Sequence, residues 1–317
     1  MAKIAVLSDI HANWEALVAV YQDFARVEGL REVCSLGDAV GYGASPNEVI
    51  SGLYSLVKKG YTVHYCMGNH DAAAIGRFEF VDLHDTRELD RLANDAGLKN
   101  LEAIARHYRD AAHRKYVPVR FNAKASMSWT IDTLTDAGSK FLATQFKDHL
   151  LLRDGVLAVH ASPRDPLFDY VTSARRAQTS VDSPLMNGVH LCFIGHTHIQ
   201  GIWQFSADDL INYAGNLVVM NPPTPIEGPT VALDPANTIT LVNVGSVGQP
   251  RDGDPRAVYA IYDDEANTVE LRRVPYDVAS ARQRIIDSGL PKVLAERLGK
   301  ADAEEGVLDE PDDDDQA

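Results

Sequence analysis

Short apolar runs alternate with amphipathic stretches along the first seventy residues. Ile4–Leu7, Glu32–Leu36 and Thr62–Met67 are short runs rich in apolar residues, and they predict buried strands. Ala12–Val27 carries apolar residues near helical spacing, and Pro46–Lys58 has a proline in its first turn, so both predict helices. The resulting βαβαβ order favours a largely parallel sheet covered by helices.

The rest of the chain returns to strand-like runs. These runs are Val117–Phe121, Ser126–Ile131, Gly155–His160, His190–Ile194, Thr238–Val244, Ala257–Tyr262 and Thr268–Val274. We expect the last three to supply a second sheet. Residues 85–114 predict one or two polar helices, and residues 278–299 predict a helical ending. Asn221–Pro229 contains four prolines and predicts a loop.

No internal repeat or flexible linker interrupts this pattern. We therefore expect a single domain over residues 1–300, with a helical insertion at about 78–116 and a β- and proline-rich insertion at about 201–237. Residues 301–317 hold nine acidic residues and no Lys or Arg, and they predict a disordered acidic tail.

Composition narrows the class of protein. Of the 317 residues, 45% are hydrophobic and 24% are charged, which is typical of a globular chain. No apolar run approaches the 18 residues or so of a membrane span, and Met1–Lys3 leads directly into a strand rather than a signal peptide. Three cysteines, each inside an apolar run, predict core packing and not a disulfide scaffold. These features predict a cytoplasmic protein without membrane association.

The net charge of −15 resides largely in the acidic tail. Without the nine acids of residues 301–317, the remaining 300 residues carry −6. Neither part has the basic excess with which nucleic-acid-binding proteins neutralise phosphates. We therefore expect no stable nucleic-acid complex, although a small phosphoester remains a possible substrate.

Polar residues that can bind metals follow the predicted strands. They are Asp9 and His11, then Asp38, then Asn69, His70 and Asp71, then His160, and finally His196 and His198. In open α/β sheets the carboxyl ends of the strands form the ligand crevice, so we expect these segments to converge at one edge of the sheet.

Each fragment alone has an ordinary structural explanation. Asp-x-His, Gly-Asp and Gly-Asn are all typical of turns, and an isolated buried histidine is usually a satisfied core residue. Gly195-His196-Thr197-His198 is the most specific fragment, with two imidazoles two residues apart. The occurrence of all five fragments in order at strand ends predicts a metal centre. Imidazole and carboxylate ligands without thiolate favour Mn, Fe, Ni, Co or Zn.

At these residues the chain resembles the calcineurin-like metallophosphoesterase superfamily. The resemblance covers about residues 4–200. It extends towards residue 275 through three stretches similar to the bacterial, phosphodiesterase-like branch: Gly37–Gly43, His160–Pro166 and Val242–Arg251. It implies an α/β fold, an α+β sandwich of two mixed β-sheets packed face to face and flanked by helices in four layers.

The resemblance also implies two divalent transition-metal ions, with manganese among the candidates. The first ion would be bound by Asp9, His11, Asp38 and His198. The second would be bound by Asp38, Asn69, His160 and His196, with Asp38 bridging the two. A metal-bridging hydroxide would attack phosphorus, with ions about 3.5–4 Å apart.

The resemblance also implies roles for residues that surround the two metal ions. His70 would protonate the leaving oxygen or stabilise its charge, and Asp71 would either orient His70 or cap a turn. The loop with Gly245, Ser246 and Arg251 could bind an anion, as could Arg164.

The expected substrate class is inferred from one difference between this chain and other members of the superfamily. Protein Ser/Thr phosphatases and related diadenosine tetraphosphate hydrolases carry an arginine shortly after Gly-Asp, whereas this chain reads Val40-Gly41-Tyr42-Gly43. A dianionic monoester needs more positive charge than a monoanionic diester, so the sequence favours a phosphodiesterase. A phosphomonoesterase, a dinucleotide polyphosphate hydrolase and a non-catalytic metal-binding scaffold remain alternatives. The sequence leaves the oligomeric state open.

Overall fold

A computed structural model describes residues 3–82, 84–96, 114–206, 218–220 and 230–301. The predicted loop at 221–229, the second half of the polar helical stretch and the acidic tail after Ala301 lie outside these residues. No helix in the described part is both long and apolar enough to cross a bilayer.

Fourteen strands are present among the described residues. They are β1 (Lys3–Leu7), β2 (Leu30–Ser35), β3 (Thr62–Tyr65), β4 (Glu79–Asp82), β5 (Tyr116–Val119), β6 (His149–Arg153), β7 (Val156–Val159), β8 (Leu191–Ile194), β9 (Gln200–Ser206), β10 (Val218–Met220), β11 (Thr230–Ala232), β12 (Thr238–Val244), β13 (Ala257–Asp263) and β14 (Thr268–Val274).

The strands form two six-stranded mixed sheets and a small separate pair. The first sheet has the order β11-β14-β13-β1-β2-β3, and its members β1, β2 and β3 are parallel, as the βαβαβ pattern predicts. The second sheet has the order β10-β9-β12-β8-β7-β6, in which β12, β8 and β7 are parallel. Strands β4 and β5 pair with each other outside both sheets.

Helices cover the outer faces of the sheets. They are α1 (Trp14–Phe24), α2 (Pro46–Lys58), α3 (Asn69–Ala74), α4 (Thr86–Ala96), α5 (Phe121–Thr133), α6 (Asp136–Gln145), α7 (Ala174–Val181), α8 (Val278–Asp287) and α9 (Lys292–Lys300), with one 3₁₀ turn at Pro184–Met186. The predicted bounds of α2 are confirmed, and α4 confirms the first half of the polar helical stretch.

Alternating side chains build two faces on each central strand. In β1, Ile4 and Val6 point to a core shared by the two sheets, whereas Ala5 and Leu7 pack against the helices of the first sheet. In β8, Phe193 faces the shared core and Cys192 faces the outer core beside α7. The result is the predicted four-layer sandwich, and all three cysteines are buried and unpaired.

One predicted strand is wrong. Ser126–Ile131 lies within α5, although its alternation of polar and apolar residues is typical of a strand. The buried positions Ala123, Met127 and Thr130 follow helical spacing. The hydroxyls of Ser126 and Thr130 donate to carbonyls three and four residues earlier, so polar side chains are satisfied within the helix.

The late strands do not form a sheet of their own. β12 joins the second sheet, whereas β13 and β14 join the first, and β13 pairs antiparallel with β1. Without β13, the edge of β1 would present unpaired backbone groups. Six of the seven residues of β13 are buried, which fits this central position.

A candidate metal centre at the strand ends

The predicted ligand residues converge where the two sheets meet. Five loops bring them together, and each loop begins at the carboxyl end of a strand: β1, β2 and β3 in the first sheet, β7 and β8 in the second. Every ligand candidate is at most 4% exposed; they are Asp9, His11, Asp38, Asn69, His160, His196 and His198. The predicted convergence therefore involves the edges of two sheets.

One group of ligand atoms surrounds the end of β1. His11 Nε2 lies 3.1 Å from His198 Nε2 and 3.7 Å from Asp9 Oδ1. Asp9 Oδ1 in turn lies 3.2 Å from His198 Nε2. Asp38 Oδ2 is 3.7 Å from His11 Nε2 on the other side. These four residues form what we call the first cluster.

A second group lies on the opposite side of Asp38. His160 Nε2 is 3.5 Å from Asp38 Oδ2, 3.1 Å from Asn69 Oδ1 and 3.1 Å from His196 Nδ1. We call these four residues the second cluster. Asp38 Oδ2 belongs to both, so a single carboxylate oxygen separates the two clusters.

The histidine tautomers fit a cation in the first cluster. His198 Nδ1 lies 2.6 Å from the carbonyl oxygen of Gln249, and His11 Nδ1 lies 3.2 Å from that of Val40. Because a carbonyl only accepts, we assign the proton to Nδ1 in both rings. The two Nε2 lone pairs therefore face each other and the Asp9 carboxylate across about 3 Å. A bound cation turns this repulsion into attraction.

The carboxylates are also arranged to leave one oxygen free. Asp9 Oδ2 accepts a hydrogen bond from the backbone N–H of His196 at 2.9 Å, and Asp38 Oδ1 accepts one from that of His70 at 2.8 Å. The other oxygen of each faces the clusters, and Asp9 Oδ1 receives no hydrogen bond within the described residues. Such fixed, half-satisfied carboxylates are suited to metal ligation.

Burial keeps the imidazoles neutral. It lowers the pKa of His160 to about 4 and lowers the pKa of His11, His196 and His198 below the usual range. Burial, together with the charges of Asp9 and Asp71, raises the pKa of Asp38 well above its usual range. Neutral imidazoles are competent ligands, and a cation beside Asp38 would offset the cost of its buried charge.

His70 lies beside the first cluster. Its ring contacts those of His11, Tyr42 and Phe80, with centroids 4.9, 4.5 and 5.1 Å away, and burial lowers its pKa. Its Nδ1 has no hydrogen-bond partner in the described part of the chain. Gly41 provides the space for this ring, since a Cβ at Gly41 would collide with His70 Nδ1.

No hydrogen bond joins Asp71 to the His70 ring within the described residues. Its carboxylate accepts hydrogen bonds from the N–H groups of Val40 and Gly68, both at 3.2 Å, so it fastens one ligand loop to the next. Burial raises its pKa to about 7. Of the two predicted roles for Asp71, its position supports the turn-capping one.

The predicted substrate residues fall into two groups. Arg251 lines the pocket over the clusters, is 8% exposed and donates to Gln249 Oε1 at 3.1 Å. Arg164 is exposed and is not part of the pocket lining.

The loop that carries Gly245 and Ser246 uses its polar groups within the protein. The N–H of Gly245 donates to Asn243 Oδ1, and Ser246 Oγ donates to the Asp9 carbonyl and accepts from the Gln249 N–H. Ser246 therefore supports Asp9, the Gly245 N–H is used by Asn243, and the predicted anion contact by this loop rests on Arg251.

Aromatic and apolar residues that the sequence did not single out complete the pocket. Tyr42, Phe80, Val119, Ala123 and Tyr170 line it together with the clusters and Arg251. The pocket has room for about one water molecule. Tyr42 could have been noticed between Gly41 and Gly43, whereas Tyr170 and Phe80 carry no local signal.

Known proteins resemble this chain over most of its length. An uncharacterized protein, MJ0912, of Methanocaldococcus jannaschii is 31% identical over 93% of this chain and 96% of its own. The crystal structure of a metallophosphoesterase from Sphaerobacter thermophilus is 30% identical, with a TM-score of 0.65, and the match covers 94% of this chain and 99% of that one.

A more distant structure shares the fold. The hypothetical protein PH1004 of Pyrococcus horikoshii OT3 is 19% identical with a TM-score of 0.65, over 96% of this chain and all of that one. The calcineurin-like phosphoesterase family itself matches residues 2–200, the segment that contains all seven ligand candidates. The chain belongs to the calcineurin-like phosphoesterase family.

Proposed function

We propose that the protein is a dinuclear metal-dependent phosphodiesterase that acts on a small phosphoester. The observation that carries this proposal is the pair of ligand clusters on either side of Asp38, faced by a single buried cation, Arg251. A phosphoester hydrolase is what family membership suggests; the number of metals and the preference for diesters are our inference. We retain the cytoplasmic location as a prediction from the sequence.

The two clusters would each hold one ion. Asp9, His11, Asp38 and His198 would hold the first, and Asp38, Asn69, His160 and His196 the second. Nitrogen and oxygen donors without thiolate favour Mn, Fe, Ni, Co or Zn. When bound, such ions supply Lewis-acid stabilisation of the phosphoryl oxygens and activation of the attacking water.

His70 is the candidate acid. It lies next to the first cluster, yet its Nδ1 is not engaged by any described residue. A neutral imidazole here can donate a hydrogen bond to the leaving oxygen, and its protonated form can transfer a proton. General acid catalysis of this kind contributes roughly 10²–10⁴-fold.

The charge of the pocket supports a phosphodiester, rather than a phosphomonoester, as the substrate. Among the described lining residues, Arg251 is the single arginine or lysine, and the residues other than Arg251, His70 and the cluster residues are aromatic or apolar. A diester brings one negative charge to the metals, whereas a monoester brings up to two.

A comparison of two esters of the same phenol tests the proposal. The protein would be stripped of metal, reloaded with Mn²⁺, and assayed with bis(4-nitrophenyl) phosphate and 4-nitrophenyl phosphate. We expect metal-dependent turnover with a higher kcat/KM for the diester. Arg251→Met should lower kcat/KM by roughly 10- to 100-fold, as expected for a lost charge-assisted contact.

Arg26→Met is the matched control, because Arg26 is exposed in the turn that follows α1 and should leave turnover unchanged. A higher kcat/KM for the monoester would contradict the diester assignment. Full metal loading without hydrolysis of either ester would contradict the enzymatic function.

A further inference from the structure

Tyr170 lines the pocket, and its hydroxyl has no role in the fold among the described residues. Its ring packs on the imidazole of His196, with the centroids 4.0 Å apart and the planes inclined by 34°. It lines the pocket together with Arg251 and Asp38. No described residue forms a hydrogen bond with its hydroxyl, and the side chain is only partly buried.

The loop before Tyr170 is fixed by its own hydrogen bonds. Asp169 accepts a hydrogen bond from Ser162 Oγ at 2.5 Å and one from Ser180 Oγ at 3.4 Å. Ser162 Oγ also accepts from the N–H groups of Arg164 and Asp165, at 3.1 and 3.3 Å. The His160–Pro166 stretch therefore positions Tyr170, although the sequence suggested a substrate contact by Arg164.

Arg251 is held at the same pocket without a carboxylate partner. Its guanidinium donates to Gln249 Oε1 at 3.1 Å and lies 6.0 Å from the centre of the Tyr42 ring. Its backbone N–H donates to the His198 carbonyl at 3.2 Å, which ties it to the first cluster. Within the described residues it forms no ion pair, so a cation 8% exposed is left to meet an anion in the pocket.

We propose that Tyr170 is a substrate-binding residue, and that its hydroxyl and the Arg251 guanidinium bind the same non-bridging phosphoryl oxygen. The ligand is a monoanionic phosphodiester, and this inference rests on the proposed function for its identity. The Tyr170 ring packs on His196, a candidate metal ligand, and this contact fixes the direction of the hydroxyl.

Binding of a minimal diester tests this directly. The probe is dimethyl phosphate, titrated calorimetrically into Mn²⁺-loaded protein, alongside turnover of bis(4-nitrophenyl) phosphate. Tyr170→Phe keeps the ring on His196 and removes only the hydroxyl. We expect about tenfold weaker binding and about tenfold lower kcat/KM, with bound manganese unchanged.

A double variant tests whether the two groups share one oxygen. The combined loss in Tyr170→Phe/Arg251→Met should be smaller than the product of the two single losses, because interacting groups are not additive. Tyr54→Phe is the matched control, since Tyr54 is 50% exposed on α2, away from the pocket.

The outcomes separate this inference from the proposed function. Unchanged binding and turnover in Tyr170→Phe would overturn the inference alone, as would fully multiplicative losses in the double variant. Tyr170-dependent binding of dimethyl phosphate without hydrolysis of any ester would retain the inference and overturn the proposed function. Wild-type protein that binds no dimethyl phosphate would overturn the inference.

Discussion

The candidate ligands occupy an unusual backbone conformation. Asp9, His11, Asp38, His196 and His198 all have left-handed φ values, between 46° and 66°. For residues other than glycine this conformation costs roughly 1–2 kcal/mol each. It recurs here because the three loops that carry these residues turn sharply at their strand ends; in the loop after β8 the turn places His196 in the second cluster and His198 in the first.

Glycines allow the ligand loops to touch one another. A Cβ at Gly68 would collide with the Asp38 carboxylate, and one at Gly195 would collide with Ser8 Oγ, 2.0 Å away. Gly68 and Gly195 therefore permit the close approach of a second loop directly before Asn69 and His196. This explains why a glycine opens the Gly-Asn-His-Asp and Gly-His-x-His motifs.

The close contact between Gly41 and the His70 ring can be tested by substitution. Gly41→Ala should displace the His70 ring and lower diester turnover at least about tenfold, with metal content unchanged. Combining it with His70→Ala should give no loss beyond that of His70→Ala alone. Steady-state kinetics and metal analysis of the three variants measure this.

Gly29→Ala is the matched control for backbone strain. Gly29 has φ +79°, close to the +91° of Gly41, but no atom lies within 4 Å of the position of its Cβ. It should lose a little stability and no activity. A further loss in the double variant would show that Gly41 acts on something other than His70.

At the scale of elements, the start of α1 is joined to the loop that supports the clusters. Asn13 caps α1, since its Oδ1 accepts from the Ala16 N–H at 3.1 Å. Its Nδ2 donates to the Gly248 carbonyl at 2.9 Å and to the Tyr276 hydroxyl at 3.2 Å. One side chain thus connects a helix, the 245–251 loop and the segment that leads to α8.

Removing these contacts should destabilise the fold. We expect Asn13→Ala to lower the free energy of unfolding by about 2–3 kcal/mol, because a helix cap and two buried hydrogen bonds are lost. Thr135→Ala is the matched control, since it removes only an exposed cap, that of α6, and should cost about 1 kcal/mol. Urea unfolding of metal-free protein measures both free energies of unfolding. Equal losses in the two variants would show that the hydrogen bonds of Asn13 Nδ2 add nothing to the stability of the fold.

The order of elements was largely predictable from the sequence, because buried strands and amphipathic helices alternate with clear periodicity. The strand prediction for Ser126–Ile131 failed because serine and threonine hydroxyls bonded to the preceding helical turn. The placement of β13 and β14 failed because strand pairing depends on contacts far apart in sequence.

The convergence of the candidate ligand residues was predictable because they occur in short motifs at strand ends. Tyr170 was not predictable from any motif, since its place in the pocket depends on the bonds of Asp169 with Ser162 and Ser180 and on its own packing against His196. Gly41 was likewise noted only for the absence of an arginine, and its contact with His70 needs the folded chain. The single-domain boundaries and the acidic tail stay predictions.

At the scale of the whole molecule, each cluster draws on both sheets. In the first cluster, His198 follows β8 of the second sheet, and the other three residues follow β1 and β2. In the second, His160 and His196 follow β7 and β8, whereas Asp38 and Asn69 belong to the first sheet. An ion in either cluster therefore joins the two halves of the sandwich.

The most direct test of this account is a metal titration of the apoprotein. Mn²⁺ would be added stepwise, with bound metal per chain and bis(4-nitrophenyl) phosphate turnover measured on the same samples. We predict two bound ions per chain, turnover that reaches its maximum only as the second ion binds, and fewer than two ions in Asp38→Ala. Saturation of turnover at one ion per chain, or two ions bound in Asp38→Ala, would contradict a dinuclear centre bridged by Asp38.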